Sequence, residues 1–158
     1  MSPLLGFLDL STNVGHALLR RGERPRFGTL VLEGPDLSWR LGHFSQWLDD
    51  WHQVEQFDAI GWERPLLTPT DTVDLLELLY GLAGICYAFA GRRRMPWREV
   101  SVTDAKIALT GKGKASKDEM LYAARRTMNW RVSSHHEADA GAGGVVAYER
   151  LWPKTRAA

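Results

Sequence analysis

Residues 4–10, Leu-Leu-Gly-Phe-Leu-Asp-Leu, constrain the fold more than any other stretch. Side chains of a β-strand point alternately to opposite faces of its sheet. Here both alternating sets are apolar, so both faces must be covered. That is the habit of a strand in the interior of an α/β sheet. Asp9 breaks the pattern. A lone carboxylate withdrawn from water costs several kcal/mol unless a charge, a metal ion or hydrogen bonds compensate it. The acid therefore needs a partner from elsewhere in the chain.

The stretch after Asp9, Ser11-Thr12-Asn13-Val14-Gly15, is turn chemistry, and the chain is expected to return as a second strand over His16–Arg21. Phe27–Leu32 makes a third strand, closed by Gly34-Pro35-Asp36. Short links between the three predict an antiparallel meander. Phe44, Trp47, Leu48, Trp51, Val54 and Phe57 follow helical spacing, with the Trp47/Trp51 stripe packing in the core. Ala59–Trp62 is a short fourth strand ending at Glu63, which Pro65 prevents from continuing. A long apolar helix is expected from about Thr70 to Phe89, capped by Thr70 or Asp71. Glu99–Val102 then reads as a fifth strand, Ser116–Met128 as a helix, and a last helix begins near Glu137. The order βββαβαβαα predicts a mixed five-stranded sheet, its first three strands antiparallel, with helices on both faces.

With 158 residues, 44% hydrophobic and 25% charged, the chain suits one globular domain over residues 1–158 rather than a disordered segment. A single cysteine, Cys86, excludes an internal disulfide framework and a multi-cysteine zinc site. No basic signal-peptide start precedes the first strand, and the uncharged apolar run Leu78–Gly91 falls short of a bilayer span of about 20 residues. These features lead us to expect a cytoplasmic protein without a membrane partner. Charge is uneven: from Arg92 to Arg131, eleven Lys and Arg face four Asp and Glu, a net +7, against −6 for the remainder. A basic segment beside an acidic remainder fits a polyanion-binding surface next to a metal site.

Three acids stand out by position: Asp9 in the first strand, Glu63 ending the fourth, and Asp139 at the start of the terminal helix. Hydrolysis of a phosphodiester by two metal ions uses such a carboxylate set, and Mg²⁺ takes oxygen ligands while keeping several waters. A metal would also let Asp9 stay ionised within an apolar strand.

Four stretches carry a resemblance to a known family. They are Gly6-Phe7-Leu8-Asp9-Leu10-Ser11-Thr12-Asn13-Val14-Gly15, Ile60-Gly61-Trp62-Glu63-Arg64-Pro65, the run Lys106–Lys117, and His136-Glu137-Ala138-Asp139-Ala140. The third is the most specific, fitting K-x-x-x-x-G-x-G-x-A-x-K at every fixed position. In this order they resemble the RuvC-type Holliday-junction resolvases of bacteria and their phages, which have a ribonuclease H-like fold. The resemblance implies a Mg²⁺- or Mn²⁺-dependent endonuclease with two ions per site, acting on branched or four-way-junction DNA as a homodimer. It implies that Asp9, Glu63 and Asp139 bind metal and carry catalysis, and that either His136 or Glu137 completes the set. Residues three apart share a helix face and residues two apart do not, so His136 is favoured if the helix includes it and Glu137 if the helix starts later.

Lys106, Lys112, Lys114 and Lys117 are the expected phosphate contacts, with Arg64 and Arg92, Arg93 and Arg94 as further candidates. Gly141, Gly143 and Gly144 depart from the family's Ala/Leu-rich terminal helix. The last helix is then expected to be short, mobile or closely packed, and a DNA-binding or scaffolding relative without catalysis, in which the glycine-rich end no longer sets Asp139 correctly, stays open. Asp9–Gly15 also looks like the first phosphate loop of actin-like nucleotide-binding proteins, although those need a second loop and usually over twice this length.

Overall fold

The structure is a computed structural model and describes residues 1–154. Strand β1 (Leu4–Asp9) lies in the middle of a five-stranded sheet of order β3-β2-β1-β4-β5. Strands β2 (Asn13–Arg20) and β3 (Arg26–Val31) continue from it as the expected antiparallel meander. On its other side β1 pairs in parallel with β4 (Ala59–Glu63), which pairs in parallel with β5 (Trp97–Val100). The carboxyl ends of β1 and β4 therefore open at the same edge of the sheet.

Both faces of β1 are covered, as its composition requires. Leu4, Leu8 and Leu10 face one core, shared with α1 (Leu37–Glu55) and α2 (Val73–Arg93). Leu5 and Phe7 face the other, shared with α3 (Val102–Thr110), α4 (Lys117–Tyr122) and α5 (His135–Leu151). Alternation puts Asp9 on the same face as Phe7, beneath α5. The Trp47/Trp51 stripe on α1 stacks within itself at 5.1 Å and meets His16 from β2 at the same centroid distance.

Several elements differ from the sequence expectation. The return strand begins at Asn13 rather than His16, because Ser11 and Thr12 suffice for the turn: the Ser11 hydroxyl accepts from Asn13 N at 3.2 Å. The fifth strand is Trp97–Val100 rather than Glu99–Val102. Ser101 stops it by capping α3, its hydroxyl accepting from Asp104 N at 3.1 Å. Helix α3 itself was not expected. The helix expected over Ser116–Met128 is α4, with a capping box between Ser116 and Glu119, followed by a wider π-helical turn over Ala123–Thr127. Helix α2 starts after Thr72, which caps it, and extends to Arg93. At 21 residues it is long and apolar enough to cross a membrane by length and composition, unlike the shorter run read from the sequence. In the fold one side of it packs on the sheet through Leu78, Leu82, Cys86 and Phe89.

Helix α5 runs unbroken from His135 to Leu151 through all three glycines. At each of them the helix lies against a neighbouring side chain with no space for a Cβ. A Cβ on Gly143 would stand 2.4 Å from the Phe7 ring, and one on Gly141 2.6 Å from Trp130. The glycine-rich segment is therefore closely packed, one of the three alternatives the sequence left open.

Candidate active site

Asp9 ends β1, Glu63 ends the adjacent parallel β4, and the first turn of α5 covers them. Asp9 is only 7% exposed. Its Oδ2 lies 3.0 Å from Nδ1 of His136, which is also 3.4 Å from the Ser11 hydroxyl. The hydrogen bond with Asp9 outweighs the effect of burial and raises the proton affinity of His136. This contact is the partner that the buried carboxylate required.

Glu63 and Asp139 belong to the same electrostatic unit. Burial, then the charges of Asp9 and Asp139, push the Glu63 carboxyl up to about 9, against the opposing charge of Lys106. Burial, then the charge of Asp9, push Asp139 up to about 6, against His136, Lys106 and His135. Among the described residues no three His, Cys, Asp or Glu side chains already close on a point as a metal cage. The donor chemistry nevertheless fits a hard divalent cation. Glu63 and Asp139 resist ionising beside Asp9; the three carboxylates offer oxygen ligands, and a cation is what would relieve the repulsion.

Since α5 begins at His135, His136 and Asp139 share a helical face, as the three-residue spacing requires. Glu137 lies on another. Its carboxylate accepts from Ser133 N at 2.7 Å, from the Ser133 hydroxyl at 2.8 Å and from the Thr29 hydroxyl at 3.4 Å. Thr29 is in register with Gly15, and Gly15 with Asp9, so Glu137 sits over β3, two strands from the acids. Between them, the His136 carbonyl occupies the place of a side chain on Gly15, 2.1 Å from where its Cβ would stand. That close approach accounts for the glycine after the turn.

Two neighbours of the acids escaped the sequence reading, Ser11 beside His136 and His135 beside Asp139. His135 stands four residues before Asp139, a spacing that puts both on one helical face. The start of α5 also had a signal, because Ser134 followed three residues later by Glu137 is a helix-capping pattern.

No family model matches the chain. Individual proteins do. The crossover junction endodeoxyribonuclease RuvC of Anaeromyxobacter sp. strain K is 39% identical over 129 residues, which are 78% of this chain and 65% of that protein. Its counterpart in Anaeromyxobacter dehalogenans strain 2CP-1 is 32% identical over the same lengths. A structure of Thermus thermophilus RuvC in complex with Holliday junction substrate superposes with a TM-score of 0.74, at 18% identity, over 94% of this chain and 96% of that one. The chain is similar to RuvC-type proteins over most of its own length. It matches just under two thirds of the length of these curated relatives, and the structural likeness, at its low identity, shows the shared fold.

Within the RuvC-type fold the basic residues divide into two groups. Val100 pairs with Glu63, so α3 starts at the acid edge, and Lys106 in its second turn opposes the proton affinity of both Glu63 and Asp139. Lys117 starts α4 near enough to act on His136. Lys114 is exposed in the loop between, and Lys112 pairs with Glu119 at 2.8 Å. Arg64, one residue past Glu63, is held by Glu99 at 3.1 Å with most of its side chain in solvent. Arg92, Arg93 and Arg94 precede β5, whose Trp97 pairs with Ile60 at the start of β4, and so lie at the opposite edge. Arg93 is engaged there with Asp49 at 2.7 Å and covers the Phe89 ring at 4.0 Å.

Proposed function

We propose that the chain is a divalent-metal-dependent endodeoxyribonuclease selective for branched DNA such as four-way junctions. The observation that carries this reading is the convergence of Asp9, Glu63, Asp139 and His136 at one edge of the sheet, with Lys106 beside them. Asp9, Glu63, Asp139 and His136 would hold two Mg²⁺ or Mn²⁺ ions. Such ions, when bound, supply an activated water and neutralise charge on the leaving oxygen.

The chain's own side chains do the rest. Asp9 and His136 fix each other's orientation, and Ser11 limits the freedom of the imidazole. Lys106, Lys114 and Lys117, with Lys112 when it leaves Glu119, supply cations along the acid edge to hold and orient phosphates. The Arg64 guanidinium extends that row past β4. At the far edge, Arg92 and Arg93 are left to fasten α2 to α1 through Asp49.

A four-way junction presents two equivalent strands, and a two-fold dimer would place one site at each. Helix α2 suits that contact, because its apolar surface leaves Val73 and Tyr80 exposed. The unbroken α5 removes the motive for a relative without catalysis, since Asp139 is carried on a formed helix. The His136 carbonyl seated over Gly15 likewise packs α5 onto the end of the Asp9–Gly15 turn, which does not favour the nucleotide phosphate-loop reading.

Purified protein is expected to nick a synthetic four-way junction with Mg²⁺ or Mn²⁺ and no nucleotide, leaving 5′-phosphate ends that ligase can reseal. Asp9→Asn should abolish cleavage while junction binding persists. Cleavage that survives EDTA, or a covalent protein–DNA adduct, rules the reading out.

A further inference from the structure

Asp9 and Glu137 are the buried charged side chains among the described residues, and only Asp9 lies with the acids. Glu137, 6% exposed, is held by neutral donors: the Ser133 amide, the Ser133 hydroxyl and the Thr29 hydroxyl. In an ordinary capping box the third helical residue bonds back to the amide of the capping residue itself. Here Ser134 is the cap and accepts from Glu137 N at 3.2 Å, but the Glu137 carboxylate reaches one residue further back and sideways to β3. It therefore joins the turn before α5, the first turn of α5 and an edge strand.

The row Asp9–Gly15–Thr29 crosses three strands in register, and the first turn of α5 lies along it. It is fastened at three points: His136 Nδ1 to Asp9 on β1, the His136 carbonyl over Gly15 on β2, and the Glu137 carboxylate to Thr29 on β3. Successive residues of a helix differ in direction by about 100°. Fixing Glu137 towards β3 therefore fixes the direction in which its neighbours point. We propose that Glu137 is a positioning residue of the active site, which sets the rotation of the first turn of α5 so that His136 and Asp139 face Asp9, and which ligates no ion. The inference rests on the nuclease reading for its effect on catalysis, but its claim about α5 stands apart from it.

The two are separated by comparing Glu137→Ala with Glu137→Gln in the full chain. Glutamine keeps an oxygen for the Ser133 amide and gains an NH₂ that the Ser133 and Thr29 hydroxyls can accept, so it should preserve the fastening without the charge. Alanine should speed amide hydrogen exchange across residues 135–139, weaken Mn²⁺ binding measured by calorimetry, and lower kcat with KM for junction DNA unchanged. Removing such a supporting contact typically costs about 10–100-fold in metal affinity or activity. Glu137→Gln should restore all three readouts towards wild type. If alanine prevents folding, Thr29→Val, which removes only the β3 bond, should give the same changes in smaller degree. Gln as defective as Ala with exchange unaltered would make Glu137 an ion ligand and overturn the proposal. So would unaltered exchange and unaltered kcat in both Ala and Val variants. Should the wild type neither cleave nor bind Mn²⁺, the nuclease reading fails, and the exchange contrast still decides whether Glu137 sets the helix.

Discussion

Glu63 keeps its proton well past the pH at which an ordinary glutamic acid loses it, because ionising it means placing charge in a buried site beside Asp9 and Asp139. The folded state thus binds this proton more tightly than the unfolded chain does. For an acid whose folded value is raised, stability is highest at low pH and falls as pH rises from the ordinary value of 4.5 to about 9. In EDTA, the Tm of wild type minus that of Glu63→Gln should therefore decrease from pH 5 to pH 9. Saturating Mg²⁺ should reverse the trend, because an ion that binds only the folded state with ionised carboxylates stabilises it by mass action. A difference that stays flat with pH in EDTA would show that Glu63 ionises freely and is no part of a repelling set. Single residues of this site were unevenly legible. Asp9 announced itself as an acid inside an apolar strand, and Glu63 as the acid at the end of another. His136 and Glu137 could not be separated until the first residue of α5 was known, because the position of the helix start decides which of them shares the face of Asp139 towards Asp9.

At the scale of elements, packing overrode propensity in α5. Glycine in a helix interior costs about 1 kcal/mol relative to alanine, so three of them left a short, a mobile and a closely packed helix all open. What cannot be read from the sequence is that Phe7 and Trp130 occupy the space their side chains would fill. Gly143→Ala should destabilise by about 1–3 kcal/mol despite its better helix propensity, because Phe7 is fully buried and has nowhere to move. Gly42→Ala in α1 provides the contrast. Nothing lies within 4 Å of its added methyl, so it should stabilise by about 0.5–1 kcal/mol. Denaturant midpoints of the two variants check both signs, and a stabilising Gly143→Ala would mean that α5 does not rest directly on β1. The strands of the meander were legible from their alternation and turn residues. Helix α3 was missed because its nine residues carry only two buried positions, Ala105 and Leu109, too few to establish a helical period.

Across the whole molecule, the basic segment of the chain does not form one surface. The segment from Arg92 to Arg131 begins at the edge of the sheet where β5 starts and passes along β5 to the acid edge, where α3 and the start of α4 lie. The sequence shows the +7 of that segment but not its division between opposite edges. The fold makes the division because a helix returning antiparallel to β4 must deposit its last residues, Arg92–Arg94, at the strand's beginning. On the proposed reading, a DNA strand cut at the acids would meet the lysines beside them and Arg64, not Arg92–Arg94. Each phosphate contact adds about 0.9 to the slope of log affinity against log salt on duplex DNA. Lys114→Ala and Lys117→Ala should each lower that slope by about one contact and weaken binding alike for all sequences. Arg94→Ala, at the far edge, should leave the slope unchanged. Preference for junctions over linear duplex should survive each single change, since it would arise from two sites held in a fixed relation rather than from one phosphate contact. A slope lowered by Arg94→Ala and untouched by the two lysine variants would place the DNA across the opposite edge, away from Asp9, Glu63 and Asp139, and the nuclease reading would fall with it.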